Sequence, residues 1–167
     1  MGISPPRPLQ EKDAIAHFDC GQSSLNKWLK NHAWPNQLTG VSRTNVIVDT
    51  VTGDVVGFVT LSSGAIERGH MPRKDRHGKP DPIPVTLLGQ LAIDQNYRGQ
   101  SLGTSLLFFA LKTAKAMSEK VGSFGVLTHP LNDDSREFYL KYGFVDIPHD
   151  PHGAMLLRMK DIEASGF

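Results

Sequence analysis

Cysteine is almost missing from this chain: Cys20 stands alone. No intrachain disulfide framework is possible, which suits a reducing compartment. No apolar run approaches the roughly 20 residues that a membrane-spanning helix needs. The opening residues, MGISPPRPLQEKD, are polar and proline-rich, without the apolar stretch of a secretory signal. Net charge is scarce too. Eighteen Lys and Arg against 17 Asp and Glu leave +1, so a nucleic-acid surface would have to be a local patch. Internal repeats, low-complexity tracts and linkers are absent. What is there is a chain of 167 residues, 39% hydrophobic and 21% charged. That composition and length suit a single soluble globular domain with its own core, and the cytoplasm is the expected compartment.

The chain is organised around Leu87–Met117. An apolar run, Val85 to Ile93, reads as a buried strand, and Asp94-Gln95-Asn96 breaks it. A turn follows, Tyr97-Arg98-Gly99-Gln100-Ser101-Leu102-Gly103, and then a helical pattern with Leu102, Leu106, Phe109, Thr113 and Met117 on one face. A strand, a glycine loop and a helix N-terminus in succession form an anion site. The first helical N–H groups lack internal partners and the dipole favours negative charge there. Arg98 adds a fixed positive charge.

The rest follows in order. Residues 1–8 read as an irregular arm, since three prolines block a helix. Ser23 is the expected N-cap of a helix carrying Leu25, Trp28 and Leu29, ending before Pro35. Thr44–Asp49 and Val55–Ser62 form a hairpin around Thr52-Gly53-Asp54. Glu67–Pro84 is a basic loop holding Arg68, Arg73, Lys74, Arg76 and Lys79. After the central stretch come a strand at Phe124–Thr128, a helix opened by Asn132 and stopped by Gly143, and strands from Phe144 and at Ala154–Met159. The expected architecture is a mixed α/β (α+β) sandwich with its ligand loop after the central strand.

Several motifs compete for the chemistry. Gly99-Gln100-Ser101-Leu102-Gly103 is literally G-x-S-x-G, the hydrolase nucleophile elbow, with Asp133, Asp146, His149 and His152 downstream in the right chain order. Four residues separate Asp94 from Gly99, however, where an elbow needs the strand to run straight into the serine. His149-x-x-His152 and Glu67-x-x-His70 lack a third partner at zinc-like spacing, so no metal is expected. Cys20 has no recognisable base beside it and reads as a small buried residue.

At Arg98-Gly99-Gln100-Ser101-Leu102-Gly103 the sequence resembles the GNAT acetyltransferases, whose signature is Arg or Gln, two residues, Gly, one residue, then Gly or Ala. It departs at Ser101, where the family has glycine. The resemblance implies a GNAT fold, with a mixed, mostly antiparallel central sheet flanked by helices. It implies that Arg98, Gly99, Gln100, Ser101, Leu102, Gly103 and Thr104 wrap the pyrophosphate of acetyl-CoA. The backbone of Leu91, Ala92 and Ile93 would hold pantetheine as a strand-like addition. The stretch Phe138-Tyr139 through Gly143-Phe144 matches the family's FY-x-x-x-GF, in which the tyrosine protonates the departing thiolate. Tyr139 is therefore the expected catalytic acid, with Asn132, Ser135 and Phe138 lining the CoA arm.

Further pieces narrow the resemblance. Phe18-Asp19-Cys20-Gly21, Leu25-Asn26-Lys27-Trp28-Leu29, Ser42-Arg43-Thr44, Asp81–Gly89, and His129 with Asp133-Asp134 look like the TacT/AtaT group of GNAT toxins. Members of that group acetylate the α-amino group of the amino acid on charged tRNA, pair with a ribbon-helix-helix antitoxin, and often dimerise. An α-amino group has a pKa near 8 against about 10.4 for lysine, so it needs little help from a base, and the sequence offers no clear base. Arg43, Arg73, Lys74, Arg76 and Lys79 would then meet tRNA phosphates. A GNAT enzyme for a small amine or protein N-terminus, and a non-catalytic acyl-CoA-binding regulator, are the alternatives.

Overall fold

The computed structural model describes residues 2–166; Met1 and Phe167, the ends of the expected domain, lie outside them. Seven strands are hydrogen-bonded in the order β1-β2-β3-β4-β5-β7-β6. They are β1 (Arg7–Pro8), β2 (Arg43–Val48), β3 (Val55–Ile66), β4 (Ile83–Ile93), β5 (Gly125–Thr128), β6 (Val145–Asp146) and β7 (Met155–Arg158). The helices are α1 (Ser23–Trp28), α2 (Trp34–Thr39), α3 (Leu102–Ser118), α4 (Asp133–Lys141) and α5 (Met159–Ala164). The chain divides into two compact units. One is the chain up to Ser62 with Gly89–Ala110; the other is Ser63–Leu88 with the chain from Leu111 on. β3, β4 and α3 contribute to both.

In the first unit β1, β2 and β3 run antiparallel, with Arg7 opposite Val46 and Val46 opposite Phe58. The expected irregular arm is thus partly a strand. Proline is tolerated there because β1 is the sheet edge, where Pro8 has no outer neighbour to bond. Phe58 centres the core: Trp28 stacks on it at 6.0 Å and 3°, and Phe18 meets it edge-on at 5.5 Å. Leu29, Ala33, Val46 and Ala92 close the cluster.

The first helix corrects the expectation at both ends. Gln22, not Ser23, is the N-cap, and the helix continues through Pro35 to Thr39. A π turn at Leu29–Ala33 separates α1 from α2. Pro35 thereby falls in the first turn of a new α segment, where its missing N–H is no loss. Gly40, at φ 77°, ends α2.

In the second unit β4 and β5 form a parallel pair over Thr86–Leu88 and Val126–Thr128, and β7 and β6 add antiparallel. Ile66, Met71, Ile83, Val85, Leu127, Ile147 and Leu156 form its core. The terminal helix α5, with buried Met159 and Ile162, was not expected from the sequence. Along α3 the buried face is Leu106, Leu107, Ala110, Leu111 and Ala114. The expected face was offset from it, and Met117 is 51% exposed. Small alanines mark the packed side, which a count of large apolar residues overlooks.

Candidate active site

In the first unit, β4 ends at Ile93 and Asp94 turns the chain. Its buried carboxylate accepts the N–H of Asn96 at 2.9 Å, capping a short 3₁₀ turn over Gln95–Tyr97, and the N–H of Asp19 at 3.0 Å. Asp19 in turn accepts from the Gly21 N–H at 2.8 Å and the Asn26 amide at 2.9 Å. Asn26 also accepts the Cys20 N–H at 2.9 Å. Arg98 donates to the Cys20 carbonyl at 2.6 Å. On the other side, the Tyr97 hydroxyl donates to Asp49 at 2.6 Å. That bond holds the Asp49 carboxyl below its ordinary range and pushes the Tyr97 phenol up. The loop after β4 is therefore clamped at Asp94, Tyr97 and Arg98. The Phe18–Gly21 and Asn26 pieces are the other half of that clamp.

Beyond the clamp, Gly99 and Ser101 both take left-handed backbone, at φ 81° and 58°. Ser101 is the sole non-glycine residue so placed among the described residues. Its carbonyl accepts the Ser105 N–H at 3.1 Å, so it stands directly before α3. Left-handed residues alternating with ordinary ones aim successive N–H groups to one side, an anion-binding nest, here feeding a 17-residue helix. A Cβ built on Gly99 or on Gly89 meets no atom within 4 Å, so a ligand can approach both backbones. Gly99, Gln100 and Ser101 are exposed, with Leu102, Gly103 and Thr104 partly so. Upstream, Ala92 packs in the core, and the Asp94 N–H donates to Val56. The β5 pairing of β4 stops at Leu88. Hydrolase chemistry is not built here: a 3₁₀ turn stands between the strand and Ser101, which opens α3 instead of sitting on an elbow.

The second unit carries Tyr139 on α4. Asn132 and Ser135 cap this helix reciprocally, the Asn132 side chain accepting the Ser135 N–H at 2.9 Å and the Ser135 hydroxyl accepting the Asn132 N–H at 3.0 Å. Phe138 meets Tyr139 edge-on at 5.3 Å, and Phe144 meets it at 5.1 Å. Tyr139 is 5% exposed. Burial pushes its phenol up to about 12, while a hydrogen bond with Thr128 pulls the other way. The Thr128 hydroxyl donates to the Leu88 carbonyl at 3.1 Å. Tyr139 is thus tied to the last register pair of β4 and β5. Thr128 escaped the sequence reading because nothing in a strand-end threonine marks it.

The basic loop of the second unit is built from short 3₁₀ turns at Arg68–His70 and Arg73–Asp75. Arg76 closes it, donating to the carbonyls of Met71 and Gly69 at 2.7 and 2.9 Å. Lys79 lies over the Phe124 ring at 4.9 Å. Arg73 and Lys74 are exposed. In the first unit Arg43 donates to the Gln37 carbonyl at 3.0 Å, near the end of α2. Cys20 is buried, and burial raises its thiol pKa. No group of three or more metal-ligating side chains occurs among the described residues.

Residues 17–144 match the family model described as Acetyltransferase (GNAT) family. The chain belongs to the GNAT acetyltransferases. It is 37% identical over 163 residues to a tRNA-acetylating toxin of Mycobacterium tuberculosis (strain ATCC 25618 / H37Rv), covering 98% of this chain and 96% of that one. It is 27% identical over 147 residues to a probable toxin TacT of Sinorhizobium fredii (strain NBRC 101917 / NGR234), covering 81% and 80%. Three solved structures share the fold. AtaT complexed with acetyl-methionyl-tRNAfMet superposes with a TM-score of 0.90 at 26% identity, covering 99% of this chain and 100% of that one. AtaTR bound with acetyl-CoA gives 0.85 at 28%, covering 99% and 98%. A KacTA–DNA complex gives 0.82 at 27%, covering 98% and 98%. This GNAT chain accordingly has the mixed, mostly antiparallel sheet expected of it. No helix among its described residues is long and apolar enough to cross a membrane.

Proposed function

We propose that this acetyltransferase moves acetyl from acetyl-CoA to the α-amino group of the amino acid on charged tRNA, and so blocks translation. The observation that carries this reading is likeness over the whole chain to a tRNA-acetylating toxin, 98% of the chain at 37% identity. The AtaT complex with acetyl-methionyl-tRNAfMet supports the same acceptor.

The family match runs from residue 17 to 144, so both units act as one acetyltransferase domain. The nest at Gly99–Ser101 and the first turn of α3, through Thr104, receive the pyrophosphate. Arg98 keeps one N–H on Cys20 and turns its remaining donors to the phosphates. The backbone of Leu91–Ile93 takes the pantetheine amides, and Asn132, Ser135 and Phe138 flank the CoA arm. Tyr139 protonates the thiolate as the C–S bond breaks. With its phenol raised to about 12, it holds its proton throughout the physiological range. Exposed Arg73 and Lys74 meet tRNA phosphates, with Arg43, Arg76 and Lys79 behind them. The partner is a ribbon-helix-helix antitoxin; the structure of an AtaT mutant toxin bound to the C-terminus of the antitoxin AtaR supports an antitoxin partner. The enzyme is a cytoplasmic homodimer.

A translation extract checks this directly. Added protein is expected to stop synthesis only when acetyl-CoA is supplied, and fresh aminoacyl-tRNA restores it. Arrest that persists without acetyl-CoA would refute the proposal.

A further inference from the structure

Among the described residues of the second unit, Thr128 is the sole fully buried polar side chain apart from Tyr139. It ends β5, whose four residues are all buried. A valine has nearly the same shape and would fill that place with no hydroxyl to satisfy, so packing alone does not call for threonine. The hydroxyl has two partners instead. Its single proton goes to the Leu88 carbonyl at 3.1 Å, since a carbonyl can only accept. Its oxygen is left to accept, and what it meets is the Tyr139 phenol. The hydrogen bonds therefore run one way, from the Tyr139 O–H to the Thr128 O–H to the Leu88 carbonyl. They end where the pairing of β4 with β5 ends, at Leu88 opposite Thr128. Phe138 and Phe144 meet the Tyr139 ring edge-on and fix its plane.

These bonds matter because Tyr139 has a difficult proton to give. A buried phenol at about 12 lies far above an ordinary thiol, near 8.5, so passing its proton to a thiolate is uphill by roughly a thousandfold. The phenolate left behind is an anion among apolar side chains, costly without a partner. Thr128 supplies one by turning a single bond. A hydroxyl moves its proton from one acceptor to another without displacing a heavy atom. The bond it then makes, to an anion, is roughly twice as strong as the neutral one it leaves.

Resting on the acyl transfer proposed above, we infer that Thr128 is the positioning residue of the acid: its hydroxyl holds the phenol in the resting enzyme and turns from the Leu88 carbonyl to the phenolate as the proton leaves. The amine lone pair forms the C–N bond to the acetyl carbon, and the C–S pair leaves on sulfur. The phenol O–H turns from Thr128 to that sulfur and gives up its proton. Thr128 donates to the oxygen left behind. The surplus proton on nitrogen goes to solvent, solvent returns one to the phenolate, and the Thr128 hydroxyl turns back to Leu88. Thioester and amine have become amide and thiol.

The test is the single-turnover rate of label transfer from acetyl-CoA, with enzyme in excess over a total pool of charged tRNA. Wild type, Thr128→Val, Thr128→Ser, Tyr139→Phe and the double variant Thr128→Val with Tyr139→Phe are compared, with the acetyl-CoA Kd and thermal midpoint of each. Expected for Thr128→Val is a loss of about 10-fold in rate, the difference between a charged and a neutral hydrogen bond, with an unchanged Kd. Thr128→Ser keeps the hydroxyl and should recover most of that loss. Beside Tyr139→Phe, which has no proton to give, Thr128→Val should cost no further rate, because residues acting on one step are not additive. A threonine that merely braced the strand would lower the residual rate of Tyr139→Phe as much as that of wild type. Should Thr128→Val not fold, Thr128→Cys decides, its thiol being a weak donor; a smaller loss, again absent beside Tyr139→Phe, is expected. A full rate in Thr128→Val, or an equal loss in both backgrounds, overturns the role of Thr128 and leaves the acyl transfer standing. No transfer by the wild type, with acetyl-CoA still bound, overturns both.

Discussion

Tyr139 is the residue on which the proposed transfer depends. Removing its hydroxyl leaves the ring packing against Phe138 and Phe144 untouched and deletes one hydrogen bond to Thr128. Tyr139→Phe should therefore cost only about 1 kcal/mol of stability and keep acetyl-CoA affinity, yet lose most of kcat; near-normal turnover would remove the phenol from the chemistry. Because folding raises this pKa, its neutral form stabilises the fold fully below the unfolded value near 10. That contribution is lost as pH climbs towards 12. Ser101 makes the opposite case. An L-residue at φ 58° costs roughly 1–2 kcal/mol there, partly offset by the extra freedom glycine gains when unfolded. Ser101→Gly is expected to raise the thermal midpoint by a few degrees without weakening acetyl-CoA binding. A fall in either would mean that the serine hydroxyl itself holds the loop or the ligand. Tyr139 came to notice in the sequence through the family resemblance, because its FY-x-x-x-GF frame is local. The backbone strain at Ser101 and the partnership of Thr128 with Tyr139 did not, since neither leaves a pattern within a few residues.

Among elements, the clamped loop is the piece on which the proposed cofactor binding turns. Asp94→Ala would leave the N–H groups of Asp19 and Asn96 without their carboxylate, at a cost of about 2–3 kcal/mol. It should weaken acetyl-CoA binding as well, because the nest begins five residues on, at Gly99. Calorimetric titration reads the second effect and thermal unfolding the first; a stability loss with unchanged affinity would separate the clamp from the ligand. At β5 the limit is steric. A Cβ on Gly125 would press into the Leu157 carbonyl and lie 2.9 Å from the Arg158 Cα. Backbone cannot yield as a side-chain end does, so Gly125→Ala should leave little folded protein, seen as loss of soluble yield. Element type was readable where the local signal was strong: alternation in β2, an apolar run in β4, helical spacing in α3 and cap residues in α4. It failed where a local rule met a tertiary exception. Pro35 ends a regular helix, but a π turn places it in a fresh first turn. The prolines of the arm bar a helix, but not an edge strand. Asp19 and Asn26 came to notice through resemblance alone. The hydrogen bonds of Asp19 to the turn after β4 join residues about 75 positions apart, and Asn26 connects to that turn through Asp19, beyond any spacing argument.

At the scale of the molecule, acid should be the weak side. Burial opposes the charged form of Asp13, but its paired bonds from Arg7, at 2.9 and 2.8 Å, outweigh this and leave its pKa below the usual value. Asp150 is lowered in the same way, against burial, by the N–H groups of Ala154 and His152. Depressed carboxylates contribute stability that is present above their unfolded values, near 4, and lost as pH falls through the folded ones. Asp13→Asn should lower the midpoint at pH 7 and flatten its decline below pH 4; an unchanged acid limb would show that Asp13 is not responsible. The central claim is the acceptor, and labelled acetyl-CoA tests it most directly. Purified protein is incubated with a total pool of charged tRNA and, in parallel, with the same pool deacylated. Label on the charged pool alone, released by base as an N-acetyl amino acid, is the predicted result. Label on deacylated tRNA, or none on either pool while acetyl-CoA binds, would contradict it.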